Sequence, residues 1–313
     1  MKWYVYDLEK VPLPISLDVL QKGECSAIMP PMFSYPGRLS GLVSQTTDPN
    51  QADYFLVPLL FNIITEREFH GDAGRILATT LHALEWFYKW PSQHVVFMIG
   101  DCCLLHESCH ASPVFMVSCS KFGRGLPMYY QAETPAEVSP IRDSEFLASF
   151  QGSVESCPEV RQAIIDSLNR SQRPVHCRKM DGYFHETYQG REAEQLRREF
   201  IRSLERSQFV FCPRGVGLSS LRFFETLAWG RVPILVADEI ALPLPRRIPY
   251  EHFVVRIPEK DIGRWEKYVA AFLADHPDLQ ACSDLARKTH AEWFTDSSLK
   301  RFIESSLVDW NRY

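Results

Sequence analysis

Residues 208–238 read QFVFCPRGVGLSSLRFFETLAWGRVPILVAD, and the fold follows from how this stretch divides. A short apolar run, 208–212, is halted by Pro213, which cannot donate to a sheet ladder. Gly215 and Gly217 permit backbone angles and close approaches that a side chain would block, and Ser219 or Ser220 can cap the helix that follows. Residues 232–237 then form a second strand of the buried kind, ending at Asp238. The order is strand, glycine-rich turn, helix, strand.

Such a turn favours an anion. A helix start presents unpaired N–H groups and the positive end of the helix dipole, and Arg214 and Arg222 can add charge-assisted contacts. A diphosphate fits this chemistry. Within the helix Arg222, Glu225 and Trp229 share one face. Glu225 could accept the hydroxyls of a ribose, as acidic residues do in other nucleotide folds, or pair with Arg222 as an ordinary surface ion pair. Spacing leaves both readings open. No Lys-Ser or Lys-Thr follows the glycines, which argues against a Walker-type ATPase loop.

The stretch FVFCPRGVGLSSLRFFETLAWGRVPILVAD resembles the exostosin-like family of glycosyltransferases. That family's motif runs as a Phe-Cys-Pro-Arg-Gly segment, a Gly and Ser turn, Arg, a helix with Glu, then Gly-x-Val-Pro-Val and an Asp. Weaker echoes precede it in the family's order: WYVYDL at 3–8, ADYFLVP at 52–58, HVVFMIGD at 94–101, FQG at 150–152 and VRQAI at 160–164. The resemblance implies two Rossmann-like domains facing one cleft, the GT-B arrangement. It also implies transfer with inversion from a nucleotide sugar to a glycan or glycoconjugate hydroxyl, with no divalent metal and no cofactor. The turn carries no Asp-x-Asp metal signature. On this reading Arg214, Gly215, Gly217, Ser219, Ser220, Arg222, Glu225 and Asp238 hold the donor.

The composition is that of a soluble globular protein: 313 residues, 45% hydrophobic and 23% charged, more than one ordinary core holds. Lysine plus arginine number 34 against 39 acidic residues, a net charge of −5, which disfavours a broad nucleic-acid surface. Nine cysteines without small-scaffold spacing suit reduced thiols. The first residues enter a strand without a signal-peptide pattern, and no apolar run is long enough to span a membrane. The expected location is the cytoplasm, with peripheral membrane contact left open.

In chain order, 9–51 reads as loop with one short helix, 54–61 as a strand, and 72–90 as a helix with an apolar period from Ile76 to Phe87, stopped by Pro91. Strands are expected at 95–99 and 114–119. Alternating strand and helix indicates an α/β layer with parallel strands. Ligands bind beyond the carboxyl ends of such strands. Those ends hold Asp7, Asn62, Glu66, Asp101 and 118–121. Asp101 directly follows an apolar strand and matches an Asp of the resembled family, which makes it the candidate base for the acceptor hydroxyl. Beside it Cys102, Cys103, His106, Cys109 and His110 crowd nine positions. They could hold zinc, but their spacing is not that of a finger or ribbon, and core thiols with polar loop histidines is the preferred reading.

Residues 123–143 are polar and carry prolines, the expected linker. The expected domains are 1–142 on the acceptor side and 143–296 for the nucleotide sugar, with 297–313 as a helix returning to the first domain. Two rival classes remain: a non-catalytic nucleotide-sugar-binding partner subunit of the same fold, and a cysteine- or metal-dependent hydrolase built on 102–110.

Overall fold

The computed structural model describes residues 1–11, 35–61, 73–98, 111–182 and 187–311. Its contacts divide the chain into two units. One comprises 1–130, 239–244 and 296–313, and the other 131–238 and 245–295.

In the first unit the elements are β1 (Lys2–Val5), α1 (Tyr35–Leu42), β2 (Ser44–Gln45), β3 (Tyr54–Phe61), α2 (Ala73–Ala83), β4 (His94–Met98), β5 (Val114–Met116) and β6 (Leu126–Pro127). Among the described residues the strands form one parallel sheet in the order β2-β1-β3-β4-β5-β6. Strands buried on both faces read as unbroken apolar runs, and β4 is buried at every position. The β3–β4 register slips between Leu56 and Leu60, the interval that holds Pro58, which has no N–H for a ladder. Phe55, Val57, Leu77, Leu81, Phe87, Val96 and Met98 form the core.

Two sequence expectations are corrected here. The helix expected over 72–90 ends at Ala83. Leu84 and Phe87 then donate to carbonyls three residues back, Leu81 and Leu84, at 3.1 and 3.2 Å. The apolar period outlives the helix because these tightened turns still deliver Leu84 and Phe87 to the core. The 123–143 stretch is not only a connection, since β6 within it extends the first sheet beyond β5.

The second unit runs β7 (Phe146–Ser153), α3 (Pro158–Arg170), β8 (Val175–Met180), α4 (Gly190–Glu205), β9 (Ser207–Pro213), α5 (Leu221–Ala228), β10 (Val232–Val236), β11 (Val255–Arg256), α6 (Trp265–Asp275) and α7 (Leu279–Trp293). Its strands are again parallel, ordered β11-β10-β9-β7-β8. The last helix, α8 (Leu299–Trp310), belongs to the first unit, where Phe302 meets Tyr129 edge-on at 4.9 Å. The chain is therefore α/β, with two parallel sheets.

The α5–β10 corner fixes the central motif. Gly230 adopts a φ of 59°, a left-handed angle open to glycine, and closes α5 by donating to the Leu227 carbonyl at 3.0 Å. The next residue, Arg231, is fully buried. Its guanidinium donates to the carbonyls of Leu204 (3.1 Å), Gly230 (3.3 Å), Ser139 (2.9 Å) and Glu205 (2.7 Å). Two of these carbonyls end α4, so Arg231 caps that helix from within the core.

Candidate functional site

In the second sheet β8 lies on one side of β7 and β9 on the other. The chain therefore changes direction between β7 and β9, and the crevice beyond their carboxyl ends is the place where such sheets take ligands. The 208–238 stretch lies there, because β9 ends at Pro213, paired with Val236 of β10.

The turn from 214 to 220 extends the ladder by one bond, Arg214 N–H to the Val236 carbonyl at 3.1 Å, and closes with Gly215 N–H to the Ser219 carbonyl at 3.3 Å. Neither Gly215 nor Gly217 is among the residues with positive φ. A Cβ on Gly215 would meet nothing within 4 Å. The glycine at 215 thus leaves open space beside the turn and is not required by the backbone angle. Val216 projects outward with 59% exposure. Ser220 occupies the N-cap position of α5, but its side chain makes no cap hydrogen bond; the hydroxyl capping expected of Ser219 or Ser220 is not made by Ser220.

Three arginines converge on this edge. Arg161, near the start of α3, donates through Nη1 to the Ser153 carbonyl at 2.9 Å and through Nε to the Arg214 carbonyl at 3.2 Å, joining the ends of β7 and β9. Arg222, in the first turn of α5, donates through Nη2 to the Gln151 carbonyl. Its guanidinium lies over the rings of Phe150 and Phe200, with centroids at 4.9 and 5.4 Å. A Cβ on Gly152 would come within 3.1 Å of Arg222 Nη2. The glycine of the FQG segment therefore makes room for this side chain. Arg222 Nε is buried without a hydrogen-bond partner among the described residues. Burial also draws this guanidinium below the usual arginine range.

Arg214 is paired. Its Nε donates to Glu259 Oε1 at 2.7 Å and its Nη2 faces Oε2 at 3.4 Å, while the Glu259 N–H donates to Asp238 Oδ1 at 3.0 Å. The hydrogen bond it donates to Glu259 holds the Arg214 guanidinium above its ordinary range. Asp238, at the end of β10, is thus tied to the residue that grips Arg214. Glu225 is 8% exposed and takes a 2.6 Å contact from Arg197 Nη1 of α4. The ion pair of Glu225 is with Arg197, not with Arg222 as local spacing allows. Cys212 is inert: burial pushes its thiol up to about 12.

Arg161, Arg197 and Glu259 escaped the sequence reading. One signal was available for Arg161, as for Arg222. A cation near the positive end of a helix is locally unfavourable, so an arginine there implies a tertiary partner. Arg197 and Glu259 carried no such signal, because their partners lie 28 and 45 residues away. Asp101 and the cluster Cys102, Cys103, His106, Cys109 and His110 lie outside the described residues. Among the described residues no group of His, Cys, Asp or Glu is placed to hold a metal ion, and no helix is long and apolar enough to cross a membrane.

A turn with open space beside it, at the positive end of a helix and flanked by three guanidinium groups, is suited to an anion such as a phosphate. Comparison with known proteins agrees in kind. A family model described as the Exostosin GT47 domain matches residues 1–272. The probable glucuronoxylan glucuronosyltransferase IRX7 of Arabidopsis thaliana is 24% identical over 303 residues, covering 84% of this chain and 65% of that protein. The chain thus spans slightly under two thirds of that relative's length. The probable beta-1,4-xylosyltransferase IRX10 of the same plant is 35% identical over 63 residues, 20% of this chain and 15% of that protein. Among solved structures, sucrose-phosphate synthase from Thermosynechococcus elongatus is similar with a TM-score of 0.44 at 10% identity, covering 99% of both chains.

Proposed function

The chain belongs to the Exostosin GT47 family of glycosyltransferases, and from that premise we propose that it moves a sugar from a nucleotide-sugar donor, held at the 213–225 turn, to a hydroxyl of a glycan acceptor. The observation that supports this reading most is the convergence of Arg161, Arg214 and Arg222 at the β7–β9 crevice. Relatives named as a probable glucuronoxylan glucuronosyltransferase and a probable beta-1,4-xylosyltransferase support a uronyl or pentosyl donor.

In the proposed step the acceptor oxygen attacks the anomeric carbon and the bond from that carbon to the diphosphate oxygen breaks. The nucleoside diphosphate departs with the bonding electrons, and the acceptor proton passes to a base, for which Asp101 is the candidate. One direct displacement inverts the anomeric centre. Charge grows on the leaving phosphate, where contacts from Arg214 and from the amides at the start of α5 would stabilise it. The guanidinium charge takes the part a divalent cation plays elsewhere, and the proposed step runs without a metal. Glu225, already oriented by Arg197, would accept ribose hydroxyls with its remaining lone pairs.

The test replaces Arg214 and Glu225 singly with Ala and measures binding of UDP-glucuronate and UDP-xylose by calorimetry, with folding checked by circular dichroism. Loss of a charge-assisted contact of about 1.5–3 kcal/mol weakens the donor by roughly tenfold to a hundredfold. Unchanged donor binding in folded variants removes the assignment. Asp101→Asn should lower turnover far more than donor binding, and equal turnover rejects it as the base.

A further inference from the structure

The first unit contains a cavity of about 370 Å³ that the donor site does not use. Tyr4 and Tyr6 of the β1 segment point to the same side of the sheet, as residues two apart in a strand must. Their rings meet edge-on at 5.3 Å and line the cavity as a corner. Phe55 backs that corner, 5.6 Å from Tyr4 and 6.3 Å from Tyr6.

The Tyr6 hydroxyl is turned away from any ligand. It lies 2.8 Å from His94 Nε2, and His94 Nδ1 lies 2.8 Å from the Trp90 carbonyl. A carbonyl only accepts, so Nδ1 carries the proton and Nε2 accepts from Tyr6. Burial holds this imidazole neutral, with its pKa lowered to about 4. Tyr6 therefore offers the cavity a fixed ring face. The rim is polar: Gln45 ends β2, Thr46 and Thr47 follow it, and Glu85 follows α2. The two other charged lining groups, Asp7 and Lys10, neutralise each other at 3.2 Å. Glu85, which has no ion-pair partner among the described residues, makes the cavity unsuitable for a phosphate or a uronate. Aromatic walls with a rim of hydroxyl, amide and carboxylate groups suit a neutral polyol, whose C–H face packs on a ring while its hydroxyls reach the rim.

We propose that this cavity binds a neutral pyranose unit of a glycan, stacked on Tyr4 and hydrogen-bonded to Thr47 and Glu85. The inference extends the glycan-acceptor reading but is tested independently of the donor turn. Xylotetraose and cellotetraose are titrated into the full chain, with binding followed by nuclear magnetic resonance. The expected result is a saturable response to at least one of them. Thr47→Trp, at an exposed position, should fill the cavity and weaken that binding about tenfold or more, whereas Arg214→Ala should leave it unchanged. No saturable response to either oligosaccharide overturns the proposal. So does unaltered binding in the Thr47→Trp variant, and so does tighter binding of glucuronic acid than of xylose. UDP-sugar binding in the same samples reports on the donor turn separately, so either reading can fail alone.

Discussion

Replacing Arg231 with Met should destabilise the second unit by about 3 kcal/mol. The guanidinium serves four carbonyls, those of Ser139, Leu204, Glu205 and Gly230. The Gly230 carbonyl also accepts from the Ser283 hydroxyl at 2.5 Å and keeps a partner when Arg231 is lost. Of the other three, the Leu204 carbonyl is buried, that of Glu205 is half-buried and Ser139 is exposed, so losing this donor costs about 1–3 kcal/mol at the first and less at the other two. Burying the cation has its own cost, visible in a pKa lowered by burial to about 10, and Met removes that cost, so the net effect falls near the lower end. Arg231→Lys presents its donors from a single point and should fall between Met and wild type. Urea and thermal unfolding followed by circular dichroism provide the measurement. For a unit of this size a loss of about 3 kcal/mol lowers Tm by roughly 6–12 °C. A loss below about 1 kcal/mol in the Met variant would refute the capping argument, since the unpaired carbonyls would then have found other partners at no cost.

The site and the first unit give two further expectations. Gly152→Val places side-chain atoms against Arg222 Nη2, which lies 3.1 Å from a Cβ at that position; it should cost about 1–3 kcal/mol by overpacking and weaken donor binding, and a variant with unaltered stability would show that Arg222 does not need the space. His94 is held neutral by burial, with a folded pKa of about 4 against 6.5 for the free imidazole. The unfolded chain therefore binds the proton first as pH falls. The stabilising effect is whole above pH 6.5 and is lost progressively down to about pH 4, by as much as ~3 kcal/mol. Urea unfolding of wild type and His94→Gln across that range should show a shallower pH dependence in the variant, and equal slopes would contradict the assignment.

What was legible in the sequence is what depends on neighbours along the chain. The β9–α5–β10 order followed from an apolar run stopped by Pro213 and from the run after Gly230, and both boundaries reappear in the structure. Pairings across the fold were not legible. Glu225 and Arg222 are three residues apart, which invites an ion pair, yet Arg197 supplies the partner because α4 brings it alongside. Nothing near Gly152 in the chain accounts for a glycine there, and only the course of Arg222 over Phe150 explains it. The expected helix over 72–90 was too long for a related reason: periodicity records which residues face the core and is blind to the backbone changing from helix to tight turns while they do so.

The arginines also bear on the anion proposed for this edge of the sheet. A parallel sheet directs strand carbonyls toward its carboxyl edge, and a row of carbonyl oxygens repels a phosphate. Here the carbonyls of Gln151, Ser153 and Arg214 are each taken by a guanidinium, from Arg222 or Arg161. These two side chains lie at helix starts, where a cation is locally disfavoured, and what they gain there is the carbonyl edge. The result is an edge at which these three acceptors are satisfied and the start of α5 offers N–H groups and the positive end of its dipole. Arg214 differs from Arg161 and Arg222: its Nε and Nη2 are held by the Glu259 carboxylate, and its Nη1 lies 3.4 Å from the Gly215 carbonyl at the turn itself. In the proposed donor complex Arg214 contacts the diphosphate at the turn, while Arg161 and Arg222 act behind it by keeping the carbonyls of Gln151, Ser153 and Arg214 out of the anion's way.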